Sequence, residues 1–236
     1  MTPVTTVHEN DFLLQFIKER GALSSEDALL HYLANGRDSA EKLNRIIQDL
    51  NVKQPFEFLD FASGYGMVAR HYATMIPQAR VTTCDIHPEA NAFNHEQFGF
   101  ETIQSQSVPE ELRVERQFDV VFTLSFFSHI SDAYFSRWLL RLYQLVKPGG
   151  YLIFTTHGRV TSNYVLGKNQ IIFYPDSEQK DLEGQYYGTA YTHPSYVMDK
   201  ISDLHVYSPV RFELFKEGFW WGHQDLYVLG KMAQSR

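Results

Sequence analysis

Cysteine is nearly missing from this chain. Cys84 is the one thiol in 236 residues, which excludes an internal disulfide and fits a reducing compartment. Basic residues are scarce too: 21 Lys and Arg stand against 28 Asp and Glu, for a formal net charge of −7. No cluster of Lys and Arg offers the stripe that a phosphate backbone or an anionic bilayer surface would need, so neither nucleic acid nor membrane is expected as a partner. No apolar run approaches the roughly 20 residues that span a bilayer. Met1-Thr2-Pro3-Val4-Thr5 lacks the charged-then-apolar order of a secretory signal. Repeats and low-complexity stretches are absent as well. The expectation is a soluble, cytoplasmic protein that works on a small molecule, with no metal site. Nothing in the pattern selects an oligomeric state.

What is present is 44% hydrophobic content, enough for one sizeable α/β domain plus an appendage. The appendage is residues 1–50, read as a helical N-terminal cap that also forms part of one pocket wall. Phe12, Leu13, Phe16 and Ile17 keep helical spacing, and a second helix follows from Ser24 with Ala28, Leu29, Tyr32 and Leu33 as its stripe. Gly36 is placed to end that helix, and Asp38-Ser39-Ala40-Glu41 to start a third that runs to Leu50. From residue 51 to 236 strand and helix alternate. Strands are expected at Phe56–Asp60, Val81–Asp85, Phe100–Gln104, Phe118–Leu124 and Tyr151–Thr156. The helices between them predict a mostly parallel sheet with right-handed crossovers. Residues 159–192 break the rhythm and read as a lid-like insertion, with an extended piece at Gln170–Tyr174. Two last strands, near Val206–Phe215 and Asp225–Gly230, are close enough in sequence to pair antiparallel.

One stretch organises the rest. Phe58-Leu59-Asp60 ends an apolar strand in a carboxylate, Phe61-Ala62-Ser63-Gly64-Tyr65-Gly66 makes a turn of small residues, and Met67-Val68-Ala69-Arg70 opens a helix. Such a turn lets a ligand approach the backbone closely. Leu59 to Gly66 resembles the first motif of class I S-adenosylmethionine-dependent methyltransferases, with Ala62 standing where that family usually carries its first glycine. The resemblance extends through Asp85, the Phe118–His129 segment and Lys147-Pro148-Gly149-Gly150, and covers roughly Phe56 to Lys231. It implies a Rossmann-like, mostly parallel seven-stranded sheet with a terminal antiparallel hairpin and helices on both faces. Looser likenesses, Tyr187-Gly188-Thr189 and Gln224 to Val228, point to a bacterial small-molecule subgroup with a helical N-terminal extension.

The same resemblance assigns roles. Asp60 would serve the positively charged methionine end of S-adenosylmethionine, and Ala62, Gly64 and Gly66 would admit the cofactor to the backbone. Asp85 would take the ribose hydroxyls and Ile86 would pack on the adenine. Ser105 and Gln106 stand where the family places a polar or acidic adenine contact, and Ser125 opens the loop beside the transferred methyl group. His129 and His157 are the candidate bases, since imidazole titrates near neutrality. Each assignment has a plainer rival. Asp60 could be an N-cap for the following turn, Asp85 a surface turn aspartate, the glycines a turn only, and the histidines hydrogen-bonded structural groups. Tyr186, Tyr187 and His193 are further candidates from the insertion. Phe126, Phe127, Trp220 and Trp221 could line a pocket, though core packing is the simpler role for each. Two other functions compete with methyl transfer to a small-molecule hydroxyl. Gly64 to Ala69 also satisfies the G-x-G-x-x-A form of the dinucleotide fingerprint, which would make the protein a nicotinamide oxidoreductase. A non-catalytic S-adenosylmethionine-binding protein is the third reading.

Overall fold

The computed structural model describes residues 5–162 and 165–233. The chain forms two compact units, Met1–Ser105 and Gln106–Arg236. In the first, helices α1 (Phe12–Gly21) and α2 (Ser25–Asp49) precede β1 (Phe56–Phe61), α3 (Ala69–Met75), β2 (Ala79–Asp85), α4 (Pro88–Phe98) and β3 (Glu101–Gln104). Local chemistry sets the helix starts. Asp11 caps α1 by accepting from the Leu13 and Leu14 amides, and Ser24 caps α2 by accepting from the Asp27 amide. The two helices are tied by the Tyr32 hydroxyl, which donates to Asp11 Oδ2 at 2.6 Å.

Gly36 does not end a helix. It lies buried in the middle of α2, one 25-residue helix where the sequence pattern suggested two. The reason is packing: a Cβ on Gly36 would stand 2.3 Å from the Met67 carbonyl oxygen. Glycine here permits close approach of α2 to the glycine turn, and that gain overrides its poor helix propensity.

β1, β2 and β3 run parallel, with Asp60 paired to Thr83 and Asp85 to Gln104. This register brings both acidic residues to the carboxyl ends of neighbouring strands.

The second unit holds β4 (Phe118–Thr123), a single 3-10 turn at Phe126–Ser128, α5 (Asp132–Gln144), β5 (Val146–His157), β6 (Ile171–Tyr174), β7 (Thr189–Thr192), α6 (Pro194–Leu204), β8 (Val210–Trp220) and β9 (Gln224–Lys231). Val120, Val121 and Phe122 are fully buried, as a strand covered on both faces requires. Phe135, Trp138, Leu139 and Leu142 form the buried stripe of α5. β4 and β5 are parallel, and β5–β9 and β9–β8 are antiparallel. The seven strands make one mixed sheet in the order β3-β2-β1-β4-β5-β9-β8. The expected terminal hairpin is therefore present.

The starts of β5 and β8 differ from the pattern reading. β5 begins at Val146, ahead of Lys147-Pro148-Gly149-Gly150, which is a bulge inside the strand. Gly149 sits at φ 84°, and a Cβ on Gly150 would lie 2.5 Å from the Asp119 carbonyl oxygen. β8 starts at Val210 and not near Val206, because the amides of Val206 and Tyr207 still bond back to Asp203 and Leu204 as α6 unwinds. The extended piece in the insertion has a partner, β7, and the two form a small separate sheet.

Candidate active site

Two clusters carry the candidate chemistry, one in each unit. The first is the glycine turn after β1. Residues 62, 64 and 66 all hold positive φ, at 56°, 51° and 73°. That alternation is the physical content of the small-x-Gly-x-Gly pattern, since left-handed backbone costs an ordinary residue about 1–2 kcal/mol and glycine almost nothing. Ala62 carries that cost. Ala62→Gly should stabilise the protein by about 0.5–1 kcal/mol after the extra freedom of glycine in the unfolded chain is offset, read as a higher midpoint in urea. Gly66 has a second constraint: a Cβ there would lie 2.5 Å from Asn94 Oδ1.

Protein donors hold the turn in place. The Gly64 amide donates to Asp85 Oδ2 at 2.7 Å. Asp85 Oδ1 accepts from the His87 amide at 3.0 Å and lies 2.9 Å from His87 Nδ1. Asn94, fully buried, donates to the Gly64 carbonyl at 2.9 Å, and Arg70 donates to the carbonyls of Gly66 and Tyr65. Asp85 is thus a brace for the turn as well as a strand-end carboxylate. An ionised carboxylate has about four acceptor positions, so Oδ2 keeps one beyond its bond to Gly64.

Asp60 is different. It is only 3% exposed, and its acidity is governed by burial first and the neighbouring Asp85 charge second, which together push its pKa up to about 8. A carboxyl raised in this way keeps its proton near neutral pH and ionises more readily when a cation comes beside it. Ser105 is buried, with its amide donating to the Asp85 carbonyl at 2.8 Å. Ile86 is half-buried and Gln106 exposed. Asp60, Ala62, Gly64, Gly66, Asp85, Ile86 and Ser105 therefore gather at the carboxyl ends of β1, β2 and β3.

The second cluster lies past β4 and β5. Ser125 takes φ 65°. Its amide donates to Thr155 Oγ1 at 2.9 Å, Thr155 donates to Gln224 Oε1 at 2.6 Å, and Gln224 Nε2 donates to Ser125 Oγ at 2.5 Å. This closed ring of bonds sets the loop that carries His129. His129 is 8% exposed, with its ring stacked on Tyr187 at 4.5 Å between centroids. Its Nδ1 lies 2.7 Å from the Gly188 carbonyl oxygen, and its Nε2 lies 3.8 Å from Glu178 Oε1. Burial lowers its pKa, while Glu178 and the Gly188 bond oppose that shift.

His157 stands 6.1 Å from both His129 and His223, ring to ring, and stacks on Tyr191. Its Nδ1 is buried with no hydrogen-bond partner among the described residues. Burial, then the two neighbouring histidines, holds its pKa down to about 3. Such a ring accepts a hydrogen bond but is a feeble base. Among the described residues no group of His, Cys, Asp and Glu is arranged to hold a metal.

The weaker candidates resolve into structure. His193 caps α6, accepting at Nδ1 from the Ser195 amide. Phe127 packs edge and face against Phe135 and Phe154, and Trp220 against Phe122. Glu178, Tyr191 and Asn94 belong to these clusters without having been picked out by pattern, and Gly188 and Gln224 had entered only as looser likenesses. Asn94 is the exception that was accessible: it is an amide on the buried face of α4, the helix after β2.

Residues 59–152 match the family described as a methyltransferase domain. The chain thus carries a methyltransferase domain over those residues. A malonyl-[acyl-carrier protein] O-methyltransferase from Calditerrivibrio nitroreducens is 29% identical over 154 residues, 63% of this chain and 58% of that protein. A ubiquinone biosynthesis O-methyltransferase from Rickettsia canadensis is 30% identical over 133 residues, 53% of this chain and 52% of that one. The chain thus spans little more than half the length of these curated relatives. Among solved structures, a Burkholderia thailandensis 1,6-didemethyltoxoflavin-N1-methyltransferase with bound S-adenosylhomocysteine matches over 98% of this chain and 94% of its own, with 16% identity and a TM-score of 0.59. That likeness concerns the fold. The dinucleotide reading of Gly64 to Ala69 gains no support from these comparisons. No described helix is long and apolar enough to cross a membrane.

Proposed function

We propose that this protein transfers a methyl group from S-adenosylmethionine to a hydroxyl of a small molecule. The observation that carries the reading is Asp60: a buried carboxylate beside a turn whose backbone is forced open by three positive-φ residues. A cationic ligand end relieves the Asp60 burial penalty, and S-adenosylmethionine has a charged amino group on its methionine end. The residues fit the rest of that molecule as well. Asp85 Oδ2 has acceptor capacity for a ribose hydroxyl, Gly64 and Gly66 present no side chain, and half-buried Ile86 offers an apolar surface to the adenine. Ser105 supplies a polar contact at the edge.

When bound, the cofactor supplies a methyl group on sulfonium, already a good leaving group. The protein's work is then to orient the acceptor, exclude water and take a proton. Alignment alone is worth up to about 7–11 kcal/mol in favourable cases. His129 is the better of the two candidate bases, because His157, at a pKa of about 3, gives little driving force for proton transfer. The O-methyltransferase names of the curated relatives favour an oxygen acceptor, whereas the toxoflavin enzyme is named for nitrogen. A small molecule is favoured over nucleic acid by the acidic composition.

The test is incubation with S-adenosylmethionine carrying an isotopic methyl label and a metabolite extract. Label should appear in the small-molecule fraction, with S-adenosylhomocysteine released in equal amount. Tight S-adenosylhomocysteine binding with no label transferred would make this a binding protein. Saturable NADH binding with no response to S-adenosylhomocysteine would overturn the assignment altogether.

A further inference from the structure

The insertion between β5 and α6 reaches back to His129 through two hydrogen bonds. The Gly188 amide donates to the His129 carbonyl at 2.9 Å, and His129 Nδ1 lies 2.7 Å from the Gly188 carbonyl oxygen. A carbonyl only accepts, so Nδ1 carries the hydrogen. In the neutral ring the lone pair is then on Nε2. Tyr187, lying 8° from parallel to the imidazole, fixes the plane of the ring. The chain can make this contact only with glycine at 188. A Cβ there would stand 2.2 Å from the Tyr174 carbonyl oxygen and 2.6 Å from the Phe173 ring. Glu178, on the same insertion, places Oε1 3.8 Å from Nε2, too long for a hydrogen bond but within ion-pair range once the ring is charged.

We propose that Gly188 and Glu178 are the positioning residues that make His129 Nε2 the proton acceptor, Gly188 by holding the tautomer and Glu178 by stabilising the imidazolium. The inference rests on the methyl-transfer reading of this site. In the step, the acceptor oxygen forms a bond to the methyl carbon as the carbon–sulfur bond breaks, its electron pair staying on sulfur. The hydroxyl proton goes to Nε2 and then to water. The groups that face His129 are Glu178, the Tyr187 ring and His157, with His223 behind His157. His157 stays neutral, so the charge that forms belongs to His129 and meets the Glu178 carboxylate.

Nitrogen NMR on histidine-labelled protein tests this without turnover. His129 should show a protonated Nδ1 and a bare Nε2 above its titration midpoint. Glu178→Gln should move that midpoint to lower pH by about half to one unit, as loss of a nearby opposite charge does. The acid limb of kcat/KM should move by the same amount. A merely structural Glu178 would lower activity and leave the midpoint where it was. A protonated Nε2, or an unmoved midpoint in Glu178→Gln, would overturn the proposal. Because the NMR needs no cofactor, failure to bind S-adenosylhomocysteine would sink the methyl-transfer reading separately.

Discussion

S-adenosylhomocysteine should bind on the order of tenfold more tightly at about pH 7.5 than at about pH 6.5, and the gain should level off above the Asp60 pKa of about 8. Below that pKa the free protein holds a proton on Asp60. The ligand's ammonium pairs only with the ionised form, so binding must expel the proton. Calorimetry in two buffers of different ionisation enthalpy will show it as two different heats. Asp60→Asn should flatten the pH dependence and weaken binding at about pH 8 by roughly 10- to 150-fold, the worth of a hydrogen bond to a charged group, about 1.5–3 kcal/mol. The same group predicts the stability of the free protein. Its folded pKa is raised above the unfolded value of 3.8, so between about pH 4 and about pH 8 the folded state holds a proton that the unfolded state has lost. Asp60's contribution therefore declines as pH rises through that window. Asp60→Asn, which never ionises, should melt higher than the parent at about pH 8 while binding poorly. Equal affinities across the pH range would remove Asp60 from the site.

Asp85→Ala should cost about 1.5–3 kcal/mol of S-adenosylhomocysteine affinity, and should also lower the melting temperature of the free protein. Both follow from one carboxylate with two duties. Oδ2 holds the Gly64 amide and Oδ1 the His87 amide, so truncation leaves two inward donors without their partner and loosens the turn the cofactor rests on. Asp85→Asn should be nearly as damaging. An amide side chain can accept from one of those amides, but its NH2 end then points a donor at the other. Calorimetry and thermal melts on the two variants check this. Unchanged affinity in Asp85→Ala would end the ribose assignment, whatever happened to stability.

Much of the sheet could be read from the chain because its signals are local. Alternating apolar runs and helical stripes placed β1 to β4, α5 and the final hairpin. Strand ends marked by Asp60 and Asp85, with small residues at 62, 64 and 66 between them, placed the turn. Gly36 misled for a physical reason: glycine looks the same in sequence whether it ends a helix or lets a neighbour come close, and only the Met67 carbonyl beside it distinguishes the two. Lys147 to Gly150 misled likewise, since a bulge and a loop share their residues.

Composition, period and the acid–turn–helix order were enough by themselves to determine the α/β sheet and the glycine turn after its first strand. The surroundings of His129 were decided in three dimensions. Its bond to Gly188 joins residues 59 apart, and the bond from Gln224 to Ser125 joins residues 99 apart. Periodicity records which face of an element is buried; it does not record which distant loop comes to rest against it. A histidine's neighbours decide its tautomer and its charge, and those neighbours arrive only with the folded chain.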